Sequence, residues 1–186
     1  AKIVPEIERY GVRSFFTATI SEAIKIRSHS RDCEIFTLNG FDYLKSNLYR
    51  EHNITPIINN ILEAQKFIEI FNKTQKVAIQ LNTGMNRLGL DKQSLLENID
   101  IIKSLPLNLI LSHLACADDT SNKENTAQKD LFIKLCQILP NIRQSLSASH
   151  GTLLGNDFHF DMVRPGIGLY GGIRNTELKE VIQIKV

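Results

Sequence analysis

The sequence predicts an α/β protein with parallel strands, of the (β/α)8 TIM-barrel-like type. Short runs rich in apolar and β-branched residues alternate with longer amphipathic stretches, and only a few residues connect them. Several short runs are almost continuously apolar, as expected of strands that are buried on both faces. Right-handed crossovers between such strands give either an open doubly wound sheet or a barrel. No GxGxxG or GxxxxGKS/T motif follows a strand, which disfavours the nucleotide-binding open sheets.

Seven runs have the composition of strands. They are SFFTAT (14–19), EIFTLNG (34–40), ITPIINN (54–60), KVAIQLN (76–82), LNLILSHLA (107–115), RQSLSAS (143–149) and MVRPGIGLYG (162–171). The helical stretches between them are SEAIKIRSHS (21–30), NILEAQKFIEIFNK (60–73), DKQSLLENIDIIKSL (91–105) and KENTAQKDLFIKLCQIL (123–139). A complete barrel has eight strands and about 250 residues, so seven strands in 186 residues predict an incomplete one.

Composition and charge exclude several classes of function. Hydrophobic residues make up 42% and charged residues 23% of the 186 residues, with a formal net charge of +2 and no basic patch for a nucleic acid. The sequence contains neither an apolar run long enough to span a membrane nor a secretory leader. Cys33, Cys116 and Cys136 are odd in number and have no zinc-ligand spacing. These features predict a cytoplasmic protein with reduced thiols and no bound metal.

Polar residues follow several strands at the end where barrels place their active sites. Arg87 ends the stretch Asn82–Arg87 after the fourth run, His113 lies near the end of the fifth run, and Ser149 ends the sixth. Each has an ordinary alternative: a solvated loop arginine, a hydrogen-bonded core histidine and a plain turn. Arg164 is different, because it lies inside the apolar seventh run, where an unpaired guanidinium is costly to bury. Arg164 therefore requires an acceptor, either a protein group or a bound molecule.

Four of these stretches, in this order and spacing, resemble the barrel domain of the alanine racemase family. They are NTGMNRLG (82–89), SHLACADD (112–119), SASHGTLL (147–154) and FDMVRPGIGLYGG (160–172). GVRSFFTATISEAIKIR (11–27) and IFTLNG (35–40) also fit, so the resemblance covers nearly the whole chain. It implies the cofactor pyridoxal 5'-phosphate and the interconversion of L-alanine and D-alanine, which supplies D-alanine for peptidoglycan.

The resemblance also implies roles for individual residues. Arg164 matches the arginine that meets the pyridine nitrogen, and His113 matches the histidine that links this arginine to the catalytic tyrosine. Arg87 matches the arginine near the phenolic oxygen of the cofactor and the carboxylate of the substrate, which suits its planar fork of donors. The cofactor phosphate is assigned to Ser149 and to the backbone amides of Gly166 and Ile167, where glycine permits close approach.

The chain departs from the family pattern at several places. The Schiff-base lysine of the family lies in a KANAYGHG-like motif on the first strand, and no such motif occurs in the 186 residues. The second base is a tyrosine of a C-terminal β-domain. We expect residues 1–178 to be a partial barrel domain without its first strand, and residues 179–186 to begin that β-domain. Within the matched stretches, Gln80 replaces a common lysine, Asn82 replaces an aspartate, and Ala148 replaces an asparagine.

These departures leave three hypotheses open. The first is a fragment of an alanine racemase that is inactive alone and works as a homodimer of the full-length form or with a complementing chain. The second is a non-catalytic remnant that binds pyridoxal phosphate weakly or not at all. The third is a related racemase that acts on another amino acid or a barrel protein that handles the cofactor itself.

Overall fold

The computed structural model describes residues 3–173. Its six strands are β1 (Ser14–Thr17), β2 (Glu34–Thr37), β3 (Thr55–Ile58), β4 (Val77–Gln80), β5 (Leu107–Leu111) and β6 (Arg143–Ser145). Its α-helices are α1 (Val4–Arg9), α2 (Ile20–Arg27), α3 (Ser46–Glu51), α4 (Ile61–Phe71), α5 (Lys92–Glu97), α6 (Ile99–Ser104), α7 (Lys123–Cys136) and α8 (Ser149–Thr152). Short 3-10 helices cover Tyr43–Lys45, Asn156–Phe158 and Ile167–Tyr170.

The strands follow one another across the sheet in chain order, from β1 to β6. β1 pairs in parallel with β2, β2 with β3, and β3 with β4. The amide of Val77 donates to the carbonyl of Pro106 beside β5, and the amide of Ser112 donates to Ser145 of β6. This sequential parallel order, with a helix in most crossovers, is the order of a (β/α) barrel, so the predicted fold class is confirmed.

The chain divides into two compact units, and β5 contributes to both. The first unit comprises Ala1–Gln80 and Gly89–Leu109, and the second comprises Leu81–Leu88 and the chain from Ile110 onward. In the first unit every residue of β3 and β4 is buried. Successive side chains of a strand point to opposite faces, so a fully buried strand must be covered on both sides.

Helix α4 illustrates how the sequence sets the bounds of an element in the first unit. It starts at Asn60, whose side chain accepts a hydrogen bond from the amide of Glu63, and it ends where Asn72 adopts a left-handed conformation with φ 39°. Its buried Phe67 and Phe71 pack against each other, with ring centroids 4.9 Å apart. Phe41 contacts both of these rings, so the helix is held by an aromatic core.

The seventh predicted strand, 162–171, is the clearest correction. The described residues retain only an isolated parallel bridge between Ala148 and Arg164, followed by the 3-10 helix Ile167–Tyr170. Pro165 has no amide hydrogen to donate to a ladder, and Gly171 turns the chain with φ 72°. The six-stranded sheet therefore ends at β6 within residues 3–173, and the proposed start of a β-domain at 179–186 lies outside the described residues.

The helix predictions differ from the structure in two ways. The stretch 91–105 forms two short helices, α5 and α6, separated at Asn98, and the short helices α1, α3 and α8 lie outside the stretches predicted to be helical. Over residues 3–173, none of the helices combines the length and the apolar character needed to cross a bilayer. The three cysteines are all unpaired thiols.

Candidate functional site

The loop after β4 carries Arg87 and is organised by Asn82. The side-chain oxygen of Asn82 accepts from the amides of Gly84 and Asn86, each at 3.1 Å, and its Nδ2 donates to Oδ1 of Asn86 at 3.0 Å. Gly84 and Asn86 have positive φ angles of 139° and 54°, so the loop uses a glycine and an asparagine where the backbone is left-handed. Arg87 follows directly and is exposed, which leaves its guanidinium accessible to an anion.

Arg164 finds its acceptors at the ends of β5 and β6. Its Nη2 donates to the carbonyls of Ser112 at 2.6 Å and Leu146 at 3.2 Å, and its Nη1 donates to the hydroxyl of Ser145. Its backbone amide donates to the carbonyl of Ser147 at 2.8 Å. Burial lowers the pKa of Arg164 to about 10, so the guanidinium remains protonated at neutral pH. These carbonyl and hydroxyl acceptors orient the guanidinium.

His113 lies beyond the end of β5 and is half-buried. Burial, then the positive charge of Arg164, and then that of Arg87 lower the pKa of His113 to about 4. The imidazole is therefore neutral at physiological pH. Arg87, His113 and Arg164 all belong to the second unit, and Arg164 bonds the carbonyl of Ser112, the residue directly before His113.

Ser149 is the first residue of α8 and is buried, with 5% of its surface exposed. Its Oγ accepts from the amide of Gly166 at 2.8 Å and from the amide of Gly168 at 3.0 Å. Two amides thus converge on one oxygen, and Ile167 lies between them in sequence. Since both bonds use the hydroxyl oxygen as the acceptor, the hydroxyl proton can be donated to an anion. A Cβ atom on Gly166 would meet nothing within 4 Å, so there is open space beside this amide.

The predicted residues therefore lie together in the second unit, and the structure adds residues that the sequence did not indicate. Gly168 supplies the second converging amide, and it could have been found from its place in the glycine-rich GIGLYGG stretch. Ser112 and Ser145 hold Arg164, but a serine in a strand carries no distinctive signal. Gln80, which replaces a common lysine in the resemblance, is buried with 6% of its surface exposed and belongs to the first unit.

A parallel α/β sheet in sequential order, with polar side chains beyond its strand ends, defines a barrel-type domain. Comparison with known proteins identifies the family. The family model for "Alanine racemase, N-terminal domain" matches residues 1–174. The alanine racemase of Rickettsia akari is 37% identical over 181 residues, which cover 93% of this chain and 50% of that protein. That of Rickettsia africae is 38% identical over 167 residues, covering 86% and 47%.

Solved structures give the same result. Alanine racemase from Bartonella henselae, described as having covalently bound pyridoxal phosphate, superposes with a TM-score of 0.88 and 35% identity, covering 96% of this chain and 55% of that one. The biosynthetic alanine racemase of Pseudomonas aeruginosa gives a TM-score of 0.77 and 28% identity, covering 86% and 46%. The chain belongs to the alanine racemase family. It spans about half the length of the relatives that it matches.

Proposed function

We propose that this chain forms the cofactor-binding part of an alanine racemase, which interconverts L-alanine and D-alanine. Family membership supports this activity, because the matched relatives are alanine racemases and the family model covers residues 1–174. The observation that carries the proposal is the convergence of the Gly166 and Gly168 amides on Ser149. Gly166 lies only two residues after Arg164 in the sequence. This arrangement suits a ligand that has both an anionic phosphate and a ring nitrogen.

The residues fit pyridoxal 5'-phosphate on their own chemistry. Ser149 would donate its hydroxyl proton to the phosphate, because the Gly166 and Gly168 amides occupy its oxygen as donors, and the Ile167 amide between them would be a further donor. Arg164 would face the pyridine nitrogen, and Arg87 would lie near the phenolic oxygen. When bound, the cofactor withdraws electrons from the substrate and so acidifies the hydrogen on its α-carbon.

In this proposal Arg164, His113 and Arg87 bind and orient the cofactor and the amino acid. Arg164 stays protonated, so it would donate a hydrogen bond to a ring nitrogen and leave that nitrogen without a proton of its own. Neutral His113 adds no positive charge beside Arg164. It would link Arg164 to a catalytic tyrosine by hydrogen bonds. Arg87 offers its exposed planar guanidinium to the carboxylate of an amino acid.

The proton-transferring groups are a separate part of the proposal. The 186 residues contain no KANAYGHG-like motif, so we propose that the 186-residue polypeptide binds the cofactor non-covalently and does not racemise alanine by itself. A homodimer or a complementing chain would supply the remaining groups in the cytoplasm. The alternative function is a non-catalytic protein of the same family, which the missing motif and Gln80 favour.

Two preparations test these statements. The product of the complete reading frame and the 186-residue polypeptide are each incubated with pyridoxal phosphate and L-alanine, and D-alanine is measured by chiral chromatography. We expect D-alanine to form only with the first. Lack of racemisation by the first preparation would overturn the proposed activity and support the non-catalytic alternative. Racemisation by the 186-residue polypeptide would contradict the proposed need for further groups.

A further inference from the structure

Helix α7 carries a glutamine whose side chain is buried beneath two loops of the candidate site. Gln128 has 1% of its surface exposed. Its Oε1 accepts from the amide of Ala115 at 2.8 Å, and its Nε2 donates to the carbonyl of His113 at 3.2 Å. Nε2 also lies 3.4 Å from Oγ1 of Thr83, in the loop that carries Arg87. One side-chain amide thus bonds the segment after β4 and the segment after β5.

Gly84 shows independently how closely the first of these loops approaches Gln128. A Cβ atom on Gly84 would lie 3.3 Å from Cγ of Gln128 and 3.4 Å from its Nε2, and the φ angle of Gly84 is 139°. A larger residue would therefore meet both backbone strain and a crowded contact. The glycine lets the loop backbone rest directly on the glutamine.

A pair of buried hydroxyls extends this contact to Arg164. Oγ1 of Thr83 lies 2.8 Å from Oγ of Ser112, and that hydroxyl donates to the carbonyl of Leu81 at 2.7 Å. The carbonyl of Ser112 in turn accepts from Nη2 of Arg164 at 2.6 Å. Displacement of Thr83 would therefore disturb the strand end to which the guanidinium is bound.

We propose that Gln128 is a positioning residue that fixes the loop carrying Arg87 relative to the strand end carrying His113. The Gln128 side chain is uncharged, so it acts on both loops through hydrogen bonds. These bonds set the distance between the Arg87 guanidinium and the neutral His113 imidazole. The effect of Gln128 on alanine binding rests on the proposed function, whereas its effect on the placement of the two loops does not depend on that function.

The same helix provides a matched control. Asn125 lies one turn earlier, has 3% of its surface exposed, and donates from Nδ2 to the carbonyls of Cys116 at 3.2 Å and Asp119 at 2.9 Å. It therefore anchors the same segment after β5 by the same kind of side-chain amide bond, but at residues 116–119, beyond the His113 and Ala115 backbone groups that Gln128 bonds. Asn125→Ala and Gln128→Ala should remove comparable helix-to-loop anchors at different places.

The first experiment measures loop placement in the 186-residue polypeptide without cofactor or substrate. Hydrogen exchange of the 82–88 segment should be about tenfold faster in Gln128→Ala, since exchange reports local opening, and unchanged in Asn125→Ala. The pKa of His113, followed by NMR of the labelled ring, should rise towards its ordinary value in Gln128→Ala alone, because the ring becomes less buried and Arg87 moves away.

Gln128→Met preserves the volume of the side chain and removes its hydrogen bonds, so it replaces Gln128→Ala if the latter does not fold. Unchanged exchange and an unchanged His113 pKa in a folded Gln128 variant would overturn the proposal. The same changes in Asn125→Ala would also overturn it, because they would indicate a general loosening of α7.

A second experiment connects the placement with the reaction. In the racemising product of the complete reading frame, Gln128→Met should raise the KM for alanine about tenfold with a smaller change in kcat, while Asn125→Ala leaves both unchanged. An equal loss of kcat and kcat/KM would contradict a role through Arg87. If the unmodified protein does not racemise alanine, the proposed function fails, whereas the exchange and NMR results still decide the role of Gln128.

Discussion

Each of the two units ties two strand-end loops together with one helix side chain, but the chemistry of that side chain differs. In the first unit Glu63 of α4 accepts from the amides of Phe41 at 3.2 Å and Asn59 at 2.9 Å, which follow β2 and β3. In the second unit Gln128 of α7 bonds the segments after β4 and β5. The first tie is a carboxyl group and the second is a neutral amide.

A glycine lies against the tying side chain in both units. A Cβ atom on Gly40 would lie 2.7 Å from Oε1 of Glu63, and one on Gly84 would lie 3.3 Å from Cγ of Gln128. Both glycines have positive φ angles, 94° and 139°. The two units therefore differ in the charge of the tying side chain and in the residues that its loops carry. Glu63, which is titratable, holds loops without proposed site residues, and neutral Gln128 holds the loops that carry Arg87 and His113.

The largest expected effect is that of alanine at these glycines. Gly40→Ala should lower the free energy of unfolding by about 3 kcal/mol, because backbone strain adds to displacement of the Glu63 carboxylate from its hydrogen bonds with the amides of Phe41 and Asn59. Gly84→Ala should cost about 1–2 kcal/mol, since its neighbour is less crowded. Urea unfolding of both variants measures the difference. A smaller loss for Gly40→Ala than for Gly84→Ala would break the comparison.

The charge of the first tie should make stability depend on pH. Burial raises the pKa of Glu63 above its ordinary value of 4.5, although the N–H donors of Asn59, Phe41 and Asn60 oppose this. The folded protein therefore binds the proton more tightly than the unfolded chain. This contribution to stability is present below pH 4.5 and is lost as the pH rises through the folded pKa.

Glu63→Gln tests this linkage. The variant should lose about 1 kcal/mol through an impaired hydrogen bond, and its stability should fall less than that of the unmodified protein as the pH rises above 4.5. Urea midpoints measured across pH 4 to 7, about the range in which a buried Glu titrates, give the two curves. Parallel curves would contradict the raised pKa. The reverse exchange, Gln128→Glu, should not stabilise the loops of the second unit, because a carboxylate cannot donate to the carbonyl of His113.

The smallest expected effect is at Asn82. Asn82→Asp keeps an oxygen for the amides of Gly84 and Asn86 but loses the donor to Oδ1 of Asn86. The free energy of unfolding should fall by about 0.5 kcal/mol, and hydrogen exchange of the 82–88 segment should change less than in Gln128→Ala. A larger change than that caused by Gln128→Ala would move the control of this loop from the helix to the loop itself.

The sequence predicted the strands well where packing leaves a continuous record. Strand β4 lies within KVAIQLN and is buried at every position, so its apolar composition reports its environment directly. The prediction of a strand at the seventh run was wrong, because its apolar residues surround Pro165 and several glycines. The backbone constraints of these residues outweigh the apolar composition. The break at Asn98 is likewise set by the backbone, because Asn98 has φ −120° and ψ 26°, outside the helical range, within an amphipathic stretch that the sequence predicts to be one helix.

The candidate site was predicted in part, for a physical reason. Arginine, histidine and serine at strand ends are visible in the sequence, and a family resemblance places them in order. Two acceptors of the Arg164 side chain are backbone carbonyls, those of Ser112 and Leu146, which no residue type encodes. Gln128 lies in a helix whose other positions include many polar residues, so its burial emerges only when the loops are folded over it.

The most direct test of the account is the affinity of the second unit for pyridoxal phosphate. Titration of the 186-residue polypeptide by isothermal calorimetry should give binding that Ser149→Ala weakens at least about tenfold, through loss of a hydrogen bond to a charged group. Glu63→Gln, in the first unit, should leave the affinity unchanged. Absence of binding by the unmodified polypeptide, or equal weakening by the two variants, would contradict a cofactor site built from Ser149, Gly166 and Gly168.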